Sequence, residues 1–136
     1  MLIATLRTAP SAPSFGLLSF AGTPHRGGGD LRCRATLEEG GETYEVDLEM
    51  IDAYRRIMLR FFEIAADPEE AWSEQRGWSS EHSELSISIG PTNQDDLRLV
   101  VLMRWPPEYE ASQDAILVVT RPALQNFGET VCELLR

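Results

Sequence analysis

The segment from Leu31 to Glu49 constrains the fold more than any other part of the sequence. On both sides of Gly40-Gly41, apolar residues alternate with polar residues, which is typical of two half-buried strands joined by a two-residue turn. Such a turn fixes the register, because the residues that flank it, Glu39 and Glu42, must face each other. The sequence therefore predicts an antiparallel hairpin with one buried face.

The predicted register gives each face of this hairpin its own chemistry. Opposite charges that face each other across two strands stabilise a sheet by a few tenths to about 1 kcal/mol per pair. Turn, apolar face and charged face agree on one register. Its apolar pairs are Leu37 with Tyr44, Ala35 with Val46 and Cys33 with Leu48, and its charged pairs are Arg34 with Asp47 and Arg32 with Glu49.

Helices are predicted at three places. Apolar residues recur with helical spacing over 49–66, and Asp67-Pro68 followed by two acidic residues is typical of a helix start. We therefore predict a first helix over 49–66 and a second, short helix that stops at Gly77. A final helix is predicted to begin at Arg121-Pro122.

The strands complete the predicted architecture. Besides the hairpin, alternating or continuous apolar runs predict strands at 15–20, 84–89, 97–105 and 115–121. We expect an α+β fold with a single antiparallel sheet of about six strands and helices on one face, in the order βββ-α-(short α)-βββ-α. The runs at 97–105 and 115–121 are apolar on both faces, so we expect a helix to cover one side and a loop or a partner to cover the other.

A chain of 136 residues suits one domain, which we expect to span 1–136. Pro10 and Pro13 favour a flexible lead-in over 1–14. The two cysteines, Cys33 and Cys132, fall in apolar patterns and are predicted to be reduced core residues, although a disulfide stays open. Together with the absence of a leader pattern and of a long apolar segment in the sequence, this favours a cytoplasmic protein.

The charge favours one class of partner. Acidic residues outnumber basic residues by 22 to 12, which gives a net charge of −10 at pH 7. Such a chain repels phosphate, so we expect it to bind neither nucleic acid nor an anionic membrane surface. A basic protein partner is favoured instead.

Residue usage narrows the chemistry. All 12 basic residues are arginine, which we interpret as a trace of GC-rich bacterial coding. Because the chain has no lysine, it can form neither a lysine Schiff base nor a P-loop with a phosphate-binding lysine. His82-Ser83-Glu84 matches half of a deaminase motif whose cysteine half is missing. We therefore predict no catalytic residue, no metal site and no cofactor.

Acidic residues cluster in two places. In the hairpin region seven acids occur with no base among them, and we interpret them as a solvated edge that deters strand pairing. These acids are Glu38, Glu39, Glu42, Glu45, Asp47, Glu49 and Asp52.

The second cluster is the predicted partner-binding site. In an up-and-down arrangement of the last three strands, the segment 78–84 and the loop 106–114 lie at the same end of the sheet. Aromatic anchors ringed by carboxylates suit a basic partner. The competing interpretation is that the two tryptophans plug the core and the acids only add solubility. The predicted site comprises Trp78, Glu81, Glu84, Trp105, Glu108, Tyr109, Glu110 and Asp114.

Trp72, Arg76, Trp78 and Ser80 form a W-x-x-x-R-x-W-x-S motif. In this motif, before a three-strand run and a C-terminal helix, the chain resembles a family of small uncharacterised proteins from GC-rich bacteria, a domain of unknown function. The likeness covers most of 31–136. The chain departs from the family at Glu81, where an apolar residue is expected, and at Ser83, where a glycine is. The resemblance implies no activity.

In general character the chain also resembles the immunity proteins of bacterial toxin systems, which are small, acidic and single-domain. We therefore favour a non-enzymatic protein-binding domain, in the form of an immunity-type inhibitor of a basic effector or toxin.

Two alternatives stay open. One is a small-ligand-binding or carboxylate-based enzyme domain in which Arg34, Arg76 or Arg104 holds an anion. The other is an oligomeric structural subunit, which is favoured if the strands at 97–105 and 115–121 leave one sheet face uncovered. The chain is expected to be a monomer or a homodimer.

Overall fold

The computed structural model describes residues 1–24, 30–105 and 111–136. These residues form two halves with the same element order, four strands followed by a helix. The first half contains β1 (Leu2–Arg7), β2 (Gly16–Gly22), β3 (Leu31–Glu39), β4 (Glu42–Met50) and α1 (Asp52–Ala66). The second contains β5 (Arg76–Ser79), β6 (Leu85–Pro91), β7 (Leu97–Trp105), β8 (Ala111–Val119) and α2 (Arg121–Leu135).

Each half builds its own antiparallel sheet. The strand orders are β1-β2-β3-β4 and β5-β6-β7-β8, so within each sheet every strand pairs with the strand next to it along the chain. The prediction of a single sheet of about six strands is therefore wrong. Hairpin patterns identify strands that are joined by a turn, but α1 separates β4 from β5, and nothing in the sequence pattern states whether the two runs of strands pair.

The hairpin prediction is confirmed in full. Arg34 faces Asp47 and Arg32 faces Glu49, as the register requires. Both pairs form ion pairs, with Arg34 Nε 2.9 Å from Asp47 Oδ1 and Arg32 Nη2 3.0 Å from Glu49 Oε1. Gly40 and Gly41 take φ angles of 61° and 79°, the left-handed conformation that this turn requires and that glycine adopts without strain.

Two predicted segments have a different structure. The segment 1–14, expected to be a lead-in, includes β1, in which Ala4 and Leu6 are buried. The short helix predicted after Asp67 does not form. Asp67 Oδ1 accepts a hydrogen bond from the Glu69 amide, but the following residues lack an apolar stripe, and Trp72 turns the chain with a φ angle of 53°.

One hydrophobic core joins the two halves. Phe62 of α1 lies at its centre, with its ring centroid 5.6 Å from that of Phe20, 5.9 Å from that of Trp78 and 5.9 Å from that of Phe127. These partners come from β2, β5 and α2, so both sheets and both helices meet at this ring. Aromatic groups of this size supply much of the apolar area that folding removes from water.

The two helices pack closely at Gly128. A methyl group at this position would lie 2.8 Å from the Ala66 amide nitrogen and 3.0 Å from the Phe62 carbonyl oxygen, so only glycine permits the approach. The buried Arg55 reinforces the same contact. Its Nη1 donates a 2.7 Å hydrogen bond to the Leu135 carbonyl oxygen, and its Nε donates to Asp52 Oδ1 at 3.0 Å.

Candidate functional site

The structure places Trp78 inside the molecule. Its side chain is 6% exposed, and its ring stacks on Phe61 with a centroid distance of 6.1 Å. The ring therefore stabilises the core and offers little surface to a partner, as in the competing interpretation of the tryptophans.

Glu81 and Glu84 make contacts within the chain. Glu81 Oε2 accepts a 2.9 Å hydrogen bond from the amide of Ile51, the residue before α1. Glu84 Oε1 accepts hydrogen bonds from the hydroxyl of the buried Ser80 and, at 3.3 Å, from the His82 amide. These carboxylates hold the turn before β6 and its contact with α1.

Trp105 links the two sheets at the end of β7. Its indole nitrogen donates a 2.7 Å hydrogen bond to the Glu45 carbonyl oxygen of β4, and its ring lies 6.1 Å from that of Tyr44. Glu108, Tyr109 and Glu110 lie outside the described residues. Among the described members of the predicted site, Trp78 and Trp105 thus have structural contacts at strand ends.

Asp114 lies apart from that end, on the outer face of β8. It faces Leu102 across the strand pair and is exposed. Together with Glu39 it lines a depression of about 370 Å³ between β8 and the loop after β1. Gln113 Nε2 lies 3.5 Å from Glu39 Oε2, which brings β8 close to the end of β3.

The residues of the W-x-x-x-R-x-W-x-S motif all have structural contacts. Trp72 is buried, and Arg76 forms a 3.2 Å ion pair with Glu70. Ser80 Oγ accepts a 3.0 Å hydrogen bond from the Leu85 amide and is 3% exposed as a residue. With Trp78 in the core, the motif fixes the connection between α1 and β6.

An apolar surface lies on the outer side of the second sheet. Val100 and Leu102 of β7 and Ile116 and Val118 of β8 point away from the core, because the alternate residues of both strands are buried. Val100 faces Ile116 directly; Ile116 is 51% exposed, and the other three side chains are half-buried. We call these four residues the β7–β8 face. The apolar character of both sides of these strands was the sequence signal for it.

Small residues continue this face toward β5. A shallow depression of about 380 Å³ runs beside Val100 and Leu102. Besides Trp78 and Ile87, four small residues line it. The small residues that line it are Gly77, Ser79, Ser86 and Ser88.

Charged residues of both signs border the β7–β8 face. Arg98 and Arg104 are exposed on β7, and Asp114 is exposed on β8. Arg104 faces Ser112, one outward position beyond the pairing of Leu102 with Asp114. The border is thus basic along β7 and acidic along β8, where Glu39 adds a second carboxylate.

The two thiols are free and buried. Burial is the main cause that raises the pKa of Cys33 to about 12, with a further contribution from Asp47. Burial likewise raises the pKa of Cys132 to about 11. Because the thiolate is the nucleophile, both residues suit a structural role.

The arginines of the ligand-binding alternative differ in their contacts. Arg34 pairs with Asp47, and Arg76 pairs with Glu70. Among the residues that the structure describes, no group of three or more His, Cys, Asp or Glu side chains is arranged to hold a metal ion. In the same described part, neither helix is long and apolar enough to cross a bilayer.

Comparison with known proteins leaves the family open. No protein-family model and no curated protein matches the chain. The resemblance in the W-x-x-x-R-x-W-x-S motif therefore stays a prediction.

Proposed function

We propose that this chain is a non-enzymatic protein-binding domain and that the β7–β8 face is its contact surface. The observation that supports this most directly is the outward band of Val100, Leu102, Ile116 and Val118 on a sheet whose other side is the core. An antiparallel sheet with one solvated face ordinarily carries polar residues on that face. Covering these side chains removes apolar area from water at about 25 cal/mol per Å².

The border of the face defines the chemistry of the partner. Asp114 and Glu39 suit basic groups, and Arg98 and Arg104 suit acidic groups, on a protein whose own contact surface is apolar at its centre. The net charge of −10 further favours association with such a protein over a nucleic acid. An immunity-type inhibitor that covers a basic effector or toxin is one form of this function.

An oligomeric subunit is a second candidate, and a specific observation favours it. We expected such a subunit if the strands at 97–105 and 115–121 left one sheet face uncovered, and on that face Ile116 is 51% exposed. Both candidates use the same face and differ in the identity of the partner.

The test compares three tagged versions of the full chain as baits at low salt in extract from its own host. Ile116→Glu adds one negative charge to the β7–β8 face, and Thr5→Glu adds one to the exposed outer side of β1 as a matched control. We expect wild type and Thr5→Glu each to recover one protein in stoichiometric amount. An untagged copy of the chain counts as such a protein. Its recovery on Ile116→Glu should fall at least about tenfold.

Circular dichroism and thermal unfolding establish that both variants are folded. A partner that stays on Ile116→Glu as strongly as on wild type would contradict the proposed contact surface. Loss of the partner from both variants alike would contradict it as well, because a general charge effect would then explain the result.

A further inference from the structure

We infer that the partner on the β7–β8 face is a second copy of this chain. This inference rests on the proposed function and names its partner. Two copies of a chain of net charge −10 repel each other, so they associate best through a surface on which positive and negative groups are balanced.

The face meets that requirement. Its apolar centre is bordered by Arg98 and Arg104 on β7 and by Asp114 and Glu39 on the β8 side, two positive and two negative groups. The arginines of one copy can therefore pair with the carboxylates of the other. A surface of this kind is self-complementary, which is the property that a two-fold symmetric interface requires.

The order of the strands allows the matching rotation. A two-fold axis that runs along the strands between β7 and β8 lays β7 of each copy over β8 of the other. Leu102 then lies over Asp114 of the second copy, because the two residues already share one level in the sheet. On the same strand as Leu102, Arg104 lies one outward position beyond it, about 7 Å further along the strand. Its long side chain can therefore reach the Asp114 carboxylate of the second copy. The rotation produces this ion pair twice.

The area of the contact determines how strongly the two copies should associate. In this arrangement β7 and β8 are the strands that overlie each other, so two strands about 4.8 Å apart and a band about 25 Å long give a footprint of about 240 Å² per copy, or about 480 Å² for the pair. This is smaller than most specific protein interfaces, so we expect a weak, reversible dimer with a dissociation constant in the high-micromolar range, about 100–500 μM.

The experiment is sedimentation equilibrium of the full chain over a concentration series, with two charge-reversal variants. Wild type should rise from the monomer mass of 15.2 kDa toward twice that mass. Asp114→Arg places like charges at both symmetric contacts, and so does Arg104→Asp. Each variant should dimerise at least about tenfold more weakly than wild type.

The mixture of the two variants supplies the decisive control. Asp114→Arg and Arg104→Asp restore both ion pairs in a mixed dimer, so an equimolar mixture should associate within about threefold of wild type. A misfolded variant could not be rescued in this way. Two variants that stay weak when mixed would overturn the proposed two-fold arrangement.

The failures of this inference and of the proposed function can be told apart. Wild type that stays monomeric to about 1 mM overturns self-association, since that concentration exceeds the expected dissociation constant. If the wild-type bait then recovers a different protein from host extract and Ile116→Glu does not, the proposed function stands with that protein as the partner. If Ile116→Glu loses nothing, the proposed function fails too.

Discussion

The hairpin β3–β4 and the hairpin β7–β8 hold matching places in their halves, as the third and fourth strands before a helix. Their inner residues are alike, since Leu31, Ala35, Leu97 and Val101 are all buried in the same core. Their outer residues differ. The first hairpin carries ion pairs such as that of Arg34 with Asp47, and the second carries the β7–β8 face.

The inner residues of the two hairpins serve the core, whereas their outer residues are not needed for it. The inner residues of both hairpins are sufficient to explain one shared core. Folding would be served equally well by charged outer residues on β7 and β8, as β3 and β4 demonstrate. Our proposal assigns the apolar outer residues of the second hairpin to contact with another protein.

The largest effect is expected at the core that both halves share. Phe62→Ala removes the ring that contacts Phe20 of the first sheet and Trp78 of the second. Its loss should reduce the free energy of unfolding by about 3–5 kcal/mol, measured by chemical denaturation. Both sheets should unfold in one transition. Separate transitions for the two halves would contradict a shared core.

A smaller loss is expected at the polar contact between the helices. Arg55→Met leaves the Leu135 carbonyl oxygen and Asp52 without the buried guanidinium, which should cost about 1–3 kcal/mol. Arg56 is the matched control, because it also pairs with Asp52 but its side chain is 73% exposed. Arg56→Met should change stability by at most about 0.5 kcal/mol, and equal losses would contradict the role given to Arg55.

The same contact predicts a dependence on pH. The hydrogen bond from Arg55 is the main cause that lowers the pKa of Asp52 below its ordinary value of 3.8. Because the folded state holds the charged form more strongly, Asp52 stabilises the fold above pH 3.8, and this contribution disappears as the pH falls through its folded-state pKa. Unfolding measured between pH 7 and pH 2 should show a smaller acid-induced loss in Asp52→Asn than in wild type. An unchanged acid profile would argue against this contribution.

The smallest effect is expected on the charged outer side of the first hairpin. The side chains of Arg34 and Asp47 are 56% and 76% exposed, so water and salt screen their attraction. Replacing both by threonine should alter stability by only a few tenths of a kcal/mol, and the change should shrink further in 1 M salt. Self-association should be unaffected. A weakened dimer would show that the first sheet also takes part in the contact.

Local patterns predicted the parts of the fold that depend on neighbours along the chain. Gly40-Gly41 fixed the register from Glu39 and Glu42 outward, and the structure confirms each pair. β1 was missed because Pro10 and Pro13 favoured a flexible lead-in over 1–14, and β5 was missed because Asp67-Pro68 is typical of a helix start. The division into two sheets depends on contacts across α1, which no local pattern encodes.

The candidate site could be predicted only in part. Asp114 belongs both to the predicted site and to the border of the proposed face, and the strands at 97–105 and 115–121 were predicted to be apolar on both sides, with a loop or a partner over one of them. Trp78 was predicted to bind a partner. At a strand end, the sequence pattern does not distinguish an aromatic residue of the core from one that contacts a partner. Its burial against Phe61 follows from the path of α1, which the sequence alone does not reveal.

The most direct test of the central claim is the mass of wild type and of Ile116→Glu in solution, measured side by side by sedimentation equilibrium. Wild type should shift from 15.2 kDa toward a dimer as concentration rises, whereas Ile116→Glu should stay at 15.2 kDa and remain folded. Equal masses for the two proteins at every concentration would contradict the claim that the β7–β8 face binds a second copy.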